Sequence, residues 1–205
     1  MQKKELGKIA NCKKLVLLTD KLRMQDEITY QHSIRAAAYA VACGRALALS
    51  PDKVRHLYYG MLLHDIGKIK IPPDLLYKKE PLAEAEKEEI RRHTEAGCSI
   101  VAEYNPPQDV RNVILYHHER WDGSGYPKGL CGEEIPLPAR IAAVADTYEA
   151  MTSDRPYRKG ISHKAAVEEI QSLAGKKFDP HIVHVFCNAI EEKLKRWENI
   201  WTFGS

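Results

Sequence analysis

Apolar residues recur at helical spacing almost from one end of this 205-residue chain to the other, and strand-like alternation is nearly absent. The pattern confines the chain to an all-α fold, in which amphipathic helices bury their apolar stripes against one another. Breakers divide it into segments. Ser50-Pro51 offers an N-cap followed by proline at the first helical position, and Asp179-Pro180 repeats the device near the end. Ile71-Pro72-Pro73 and Asn105-Pro106-Pro107 force extended backbone. Helices are predicted over 29–49, from Pro51 to the His64-Asp65 pair with Gly67 as terminator, over 83–104, from Gln108 to the His117-His118 doublet, and over 139–152, 163–174 and 180–196. Between Trp121 and Pro138, Gly123, Gly125, Gly129, Gly132, Pro127, Pro136 and Pro138 forbid a regular element. A loop of that length inside a compact domain is usually functional.

A chain this long with 44% hydrophobic residues can bury one sizeable core. The expected organisation is a helical extension or linker over residues 1–24 and one domain over 25–200. Leu6, Ile9, Leu15, Leu18 and Leu22 give the Lys-rich extension an apolar stripe, suited to pairing with a second copy or to connecting an upstream sensor domain. No apolar run approaches the roughly 20 residues that span a bilayer, and no signal-peptide segment follows Met1-Gln2-Lys3-Lys4. A cytoplasmic protein without a membrane segment is expected. The five cysteines are scattered and lack C-x-x-C spacing, so reduced, mostly buried thiols are expected rather than a disulfide frame or a thiolate zinc site. The net charge of +3 is carried by the first 25 residues, which leaves the remainder slightly acidic and argues against a DNA-binding face.

The chemistry concentrates in His64-Asp65-Ile66-Gly67-Lys68. A histidine and an aspartate side by side make a poor core pair and a good metal-binding pair. His32, His93, His117, His118 and Asp146 lie on other predicted helices, and their convergence would surround one site with imidazoles and carboxylates. That donor set suits Mn, Fe or Zn better than Mg or Ca. His56, His163, His181 and His184 have no such company and read as surface or core histidines.

The order His32, His64-Asp65-x-Gly67-Lys68, His93, His117-His118, Asp122-Gly123-x-Gly125-Tyr126-Pro127, Asp146 resembles the HD-GYP branch of the HD-domain phosphohydrolases. The resemblance covers residues 26 to 190 and is densest over 117–158. It implies an HD-domain helical bundle and a phosphodiesterase that opens cyclic di-GMP to the linear dinucleotide pGpG, and onward to GMP. It further implies two divalent transition-metal ions, iron or manganese. His32, His64, Asp65 and Asp146 would hold one ion and His93, His117 and His118 the other, with Asp65 bridging. Lys68, Tyr126, Arg155 and Arg158 match substrate-binding positions, and Asp65 and Lys68 would carry the catalysis. Some members place a metal-binding glutamate where this chain has Ile28, so two ions are expected rather than three. Alternatives stay open: another cyclic dinucleotide or nucleotide as substrate, or a signalling module that binds the dinucleotide with little turnover.

Overall fold

Two side chains start the helices that matter most. Asp26 accepts from the Thr29 backbone N–H at 3.0 Å and opens α2 (Glu27–Ala46), and Ser50 accepts from the Lys53 N–H at 3.4 Å and opens α3 (Pro51–Leu63). The computed structural model describes residues 17–154 and 158–202, with side chains as far as residue 192. Residues 17–25 form α1. After α3 come a 3₁₀ turn (Ile66–Lys70), α4 (Pro73–Leu76), α5 (Glu84–Arg91), α6 (His93–Ala102) and α7 (Gln108–Tyr116). A second 3₁₀ turn (Gly132–Glu134), α8 (Leu137–Thr152), α9 (His163–Ser172) and α10 (Pro180–Thr202) complete the order.

The fold is all-α. Among the described residues β pairing is confined to isolated bridges, including Asp122 with Cys131 and Ala174 with Phe178. α2 packs on α3, α8 and α10, while α7 fits between α3, α6 and α8. Their shared core holds Ala36, Ala40, Leu57, Met61, Ile114, Ile141, Val144, Tyr148, Phe178 and Phe186. Each fully buried large side chain contributes about 1.5–3 kcal/mol. No helix among the described residues is long and apolar enough to cross a membrane.

The structure departs from the sequence reading at four places. α3 ends at Leu63, before the His64-Asp65 pair, and Gly67 is not its terminator; it sits inside the 3₁₀ turn, where a Cβ would lie 1.8 Å from the His93 carbonyl oxygen. It is glycine because α6 runs against it. The helix predicted over 83–104 is two helices, α5 and α6, meeting at Arg92 beside that contact. Leu18 and Leu22 are buried in this chain's own core, so that part of the N-terminal stripe is not offered to a partner; Leu6, Ile9 and Leu15 lie outside the described residues. The thiols are less uniform than expected, with Cys43 and Cys187 buried, Cys98 half-buried and Cys131 exposed. Burial pushes the Cys43 thiol up to about 12, which keeps it protonated and inert.

Candidate metal centre

Five helices point side chains at one spot. α2 contributes His32 from its buried face, and the end of α3 delivers His64 and then Asp65. His93 is the first residue of α6, His117 caps α7 with His118 next, and Asp146 projects from the middle of α8. His64, Asp65, His93 and His117 are each 1–2% exposed, and His32 is 8% exposed.

The ring orientations are set by carbonyl groups, which can only accept. His64 Nδ1 donates to the Met61 oxygen at 2.7 Å and His93 Nδ1 to the Ile90 oxygen at 2.8 Å. His117 Nδ1 faces the Val113 and Ile114 oxygens, both at 3.1 Å. In each neutral ring the lone pair therefore lies on Nε2, which points inward. His32 Nε2 is 3.0 Å from Asp146 Oδ1, and His64 Nε2 is 3.4 Å from Asp65 Oδ2 and 3.7 Å from Asp146 Oδ1. His93 Nε2 is 3.4 Å from both Asp65 Oδ1 and His117 Nε2. Two groups of donor atoms fall within 4.8 Å of one another: Asp65 with His93, His117 and His118, and His32 with His64 and Asp65.

Such crowding of lone pairs is unfavourable unless a cation stands among them. His64 Nε2 and Asp65 Oδ1 are buried with no hydrogen-bond partner, an arrangement that costs about 1–3 kcal/mol per neutral group and more for a charge. Both atoms face the other donors. The donor set, three or more imidazoles with carboxylates, is that of a transition-metal site rather than an all-oxygen one. On both counts the residues fit metal ions.

Burial lowers the pKa of His118 to about 3 and that of His117 well below the usual range, so both stay neutral and able to ligate. Burial opposes ionisation of Asp65 and Asp146, but Lys68 beside the first, and the hydrogen bond from His32 with the His64 imidazole close by beside the second, hold both well below the carboxylate range. Burial also works against a charged His32, yet hydrogen bonds to Asp146 and Glu149 outweigh it and raise His32 to about 9.

Glu149 is the residue that sequence reasoning missed. It is fully buried, its Oε2 accepts from His32 Nδ1, and its Oε1 accepts from Arg35 Nε at 2.6 Å and from Ser153 Oγ at 2.5 Å. A signal was present, since Glu149 follows Asp146 by three residues and shares its helix face. Arg140 also orients a carboxylate. It does so for Asp179, at 2.7 Å, away from the cradle. Glu27, the only acid beside Ile28, is spent on Arg23 and Gln31 at the surface.

Two cavities open from the cradle and share His118, Asp146 and Ala150. One, of about 310 Å³, is lined by Lys68, Arg35, Glu149 and Ile28; the other, of about 530 Å³, by Tyr126, Arg120, Arg158 and Lys177. Lys68 Nζ holds Asp65 Oδ2 at 2.6 Å. The Tyr126 ring stacks on His118 with centroids 4.8 Å apart, and Arg158 donates to the Ala150 oxygen at 2.6 Å. Arg155 lies outside the described residues. The glycine-rich loop is pinned by buried Glu119, which accepts from the Lys128 and Leu130 N–H groups at 2.7 and 3.1 Å. A Cβ on Gly125 would lie 2.4 Å from the Arg120 nitrogen, so only glycine lets the loop fold over the doublet.

An all-helical bundle whose helix ends converge on such a cradle has the build of a metal-dependent phosphohydrolase of the HD type. The HD domain profile matches residues 16–182. The chain belongs to the HD domain family, on its HD-GYP branch. It is 40% identical over 171 residues to a cyclic di-GMP phosphodiesterase of Pseudomonas aeruginosa, covering 83% of this chain and 41% of that protein. It is 37% identical over 147 residues to a 3'3'-cGAMP-specific phosphodiesterase of Vibrio cholerae, covering 72% of this chain and 34% of that one. The chain thus spans less than half the length of these relatives. The fold matches that of an HDG"Y"P protein from Bdellovibrio bacteriovorus with a TM-score of 0.66 at 20% identity, over 90% of this chain and 62% of that one.

Proposed function

We propose that this chain is a phosphodiesterase that opens cyclic di-GMP to linear pGpG, and onward to GMP, with two divalent transition-metal ions, iron or manganese. The observation that carries the reading is the convergence of seven ligating side chains around two buried acceptors that no protein donor satisfies. In this reading His32, His64, Asp65 and Asp146 hold one ion and His93, His117 and His118 the other, with Asp65 shared. Bound there, such a pair supplies activated water at neutral pH and offsets the charge of the phosphodiester.

The protein's own groups do the rest. Lys68 fixes Asp65 through one oxygen, and its side chain, 26% exposed, also lines the smaller cavity. From there it can meet a non-bridging phosphate oxygen or deliver a proton to the leaving 3′ oxygen. Tyr126 and Arg158 wall the larger cavity as substrate contacts, and Arg155 belongs with them. The functional unit runs over residues 25–200 and acts in the cytoplasm. Residues 1–24 would connect it to an upstream sensor or pair it with a second copy, for which Leu17 and Met24 remain exposed.

The relationship to the Vibrio cGAMP-specific phosphodiesterase supports a second reading, in which the same site cleaves a mixed guanine-adenine cyclic dinucleotide. The deciding experiment is anaerobic hydrolysis of both dinucleotides with Fe(II) or Mn(II), resolved by chromatography, against a His64→Ala, Asp65→Ala double variant. Linear pGpG from the wild type alone supports the proposal. Product from cGAMP only selects the second reading. Both substrates intact, with two ions bound per chain, would leave a binding module with little turnover.

A further inference from the structure

We propose that Lys177 and Arg120 form an anion subsite in the larger cavity, which holds the second, non-reacting phosphate of a cyclic dinucleotide. The proposal rests on the functional reading above.

The two cations come from loops distant in sequence that the backbone ties together. Trp121 N–H donates to the Lys177 carbonyl at 3.1 Å and Asp122 N–H to the Lys176 carbonyl at 2.9 Å. These bonds set Arg120, which directly follows the His117-His118-Glu119 run, beside Lys177. Both line the cavity of about 530 Å³ that His117, His118 and Asp146 close on the metal side and Arg158 on another.

Neither cation is used up. Among the described residues neither makes an ion pair: Lys177 Nζ donates to Thr147 Oγ1 at 3.1 Å, and Arg120 acts on Asp122 and Tyr126 only through space. The acids that line or adjoin the cavity are engaged, and Glu169 reaches Lys177 only through space. Glu119 is engaged by loop N–H groups and Asp146 by His32. The half-buried ammonium of Lys177 also rests over the Phe178 ring, 5.1 Å from its centroid. A partly desolvated cation held by a hydroxyl and a ring is poised for an anion.

The chemistry of the substrate selects which anion. A cyclic dinucleotide carries two phosphodiesters on opposite sides of one ring, so with one at the metal cradle the other is displaced by the width of the ring. On the cradle's other side Lys68 is bonded to Asp65 and serves the reacting phosphate. The side that holds Lys177, Arg120 and Arg158 contains charge the reacting phosphate does not require.

The test compares steady-state hydrolysis of cyclic di-GMP with that of bis(p-nitrophenyl) phosphate, a diester with a single phosphate, by the Mn(II)-loaded chain. Lys177→Met keeps the stem and removes the charge. It should raise KM for cyclic di-GMP about tenfold, the loss of one charge-assisted hydrogen bond, with kcat within about twofold. Its effect on the single-phosphate diester should be much smaller, Lys177→Arg should recover most of the loss, and Arg120→Met should give a lesser rise. An unchanged KM, or equal losses on both diesters, overturns the subsite. Wild type that cleaves bis(p-nitrophenyl) phosphate and leaves cyclic di-GMP intact instead rejects the functional reading, and the subsite with it.

Discussion

On one side of Asp65 stand His32, His64 and Asp146, backed by the carboxylate of Glu149; on the other stand His93, His117 and His118, with His93 and His117 backed by main-chain carbonyl groups. The carboxylate side concentrates negative charge and draws a proton onto His32, which stands where a cation is called for. Among the described residues the one carboxylate that joins the imidazole group is Asp65, and burial keeps His93, His117 and His118 neutral. Both sides are ready for a divalent ion, but by different means. An imidazole that donates to a carboxylate is a stronger ligand than one that donates to a carbonyl, so the two halves should hold their ions with unequal strength.

Removing what the halves share gives the largest effect. Asp65→Ala takes one ligand from each side and frees Lys68, and should lower phosphodiesterase activity by a thousandfold or more, a rough figure for loss of both ions. Elemental analysis should find less than one metal per chain. Single-side variants sharpen the contrast: His118→Ala and Asp146→Ala should each leave about one ion bound and cost on the order of a hundredfold in kcat. Loss of both ions from either one would show that the halves are not separate.

The residues that converge were legible in their order along the chain, and the asymmetry between the two sides was not. Helix starts at Ser50 and Asp179 depend on neighbours within three residues, so they can be read locally. The seven side chains that converge could be picked out because histidine and aspartate rarely gather without a reason, even on separate helices. What escaped was set across the fold. Gly67 looks like a helix terminator until α6 is seen lying on it, and the break at Arg92 belongs to the same contact. Glu149 looked like one more residue beside a helix stripe until His32 was placed opposite it. Arg120 and Lys177 meet only because two loops exchange backbone hydrogen bonds, and no periodicity encodes that.

The halves should also part company on titration of the metal-stripped protein. His118 titrates near 3 in the fold, below its unfolded value of 6.5. The unfolded chain therefore binds the extra proton between those values, and stability falls as pH drops through that window, by up to about 1.4 kcal/mol per pH unit for such a histidine. His117, His93 and the depressed carboxylates act in the same direction. His32 works the other way: raised to about 9, it adds stability that is complete below 6.5 and lost as pH rises through 9. Thermal melts from pH 5 to 9 with chelator should show an acid limb and an alkaline limb. His32→Gln should flatten the alkaline limb alone, and survival of both limbs would break the assignment.

The smallest effect is the most specific test of the comparison. Glu149→Gln preserves shape, but with its oxygen toward Arg35 and Ser153 it turns an amide NH2, which cannot accept, toward His32 Nδ1, and it removes the charge that strengthens that ring as a ligand. Arg35 and Ser153 keep a carbonyl oxygen to bond, so the core should not collapse as it would around alanine. Metal titration against a competing chelator should then show one ion weakened by about tenfold, the low end for loss of an orienting carboxylate, and the other unchanged. The bonds of Glu149 go to His32, Arg35 and Ser153 and not to His117 or His118, so equal weakening of both ions would mean that the substitution disturbed α8 as a whole. If neither ion is weakened, the Glu149 charge serves the fold rather than the metal, and the two sides differ only in where their protons sit.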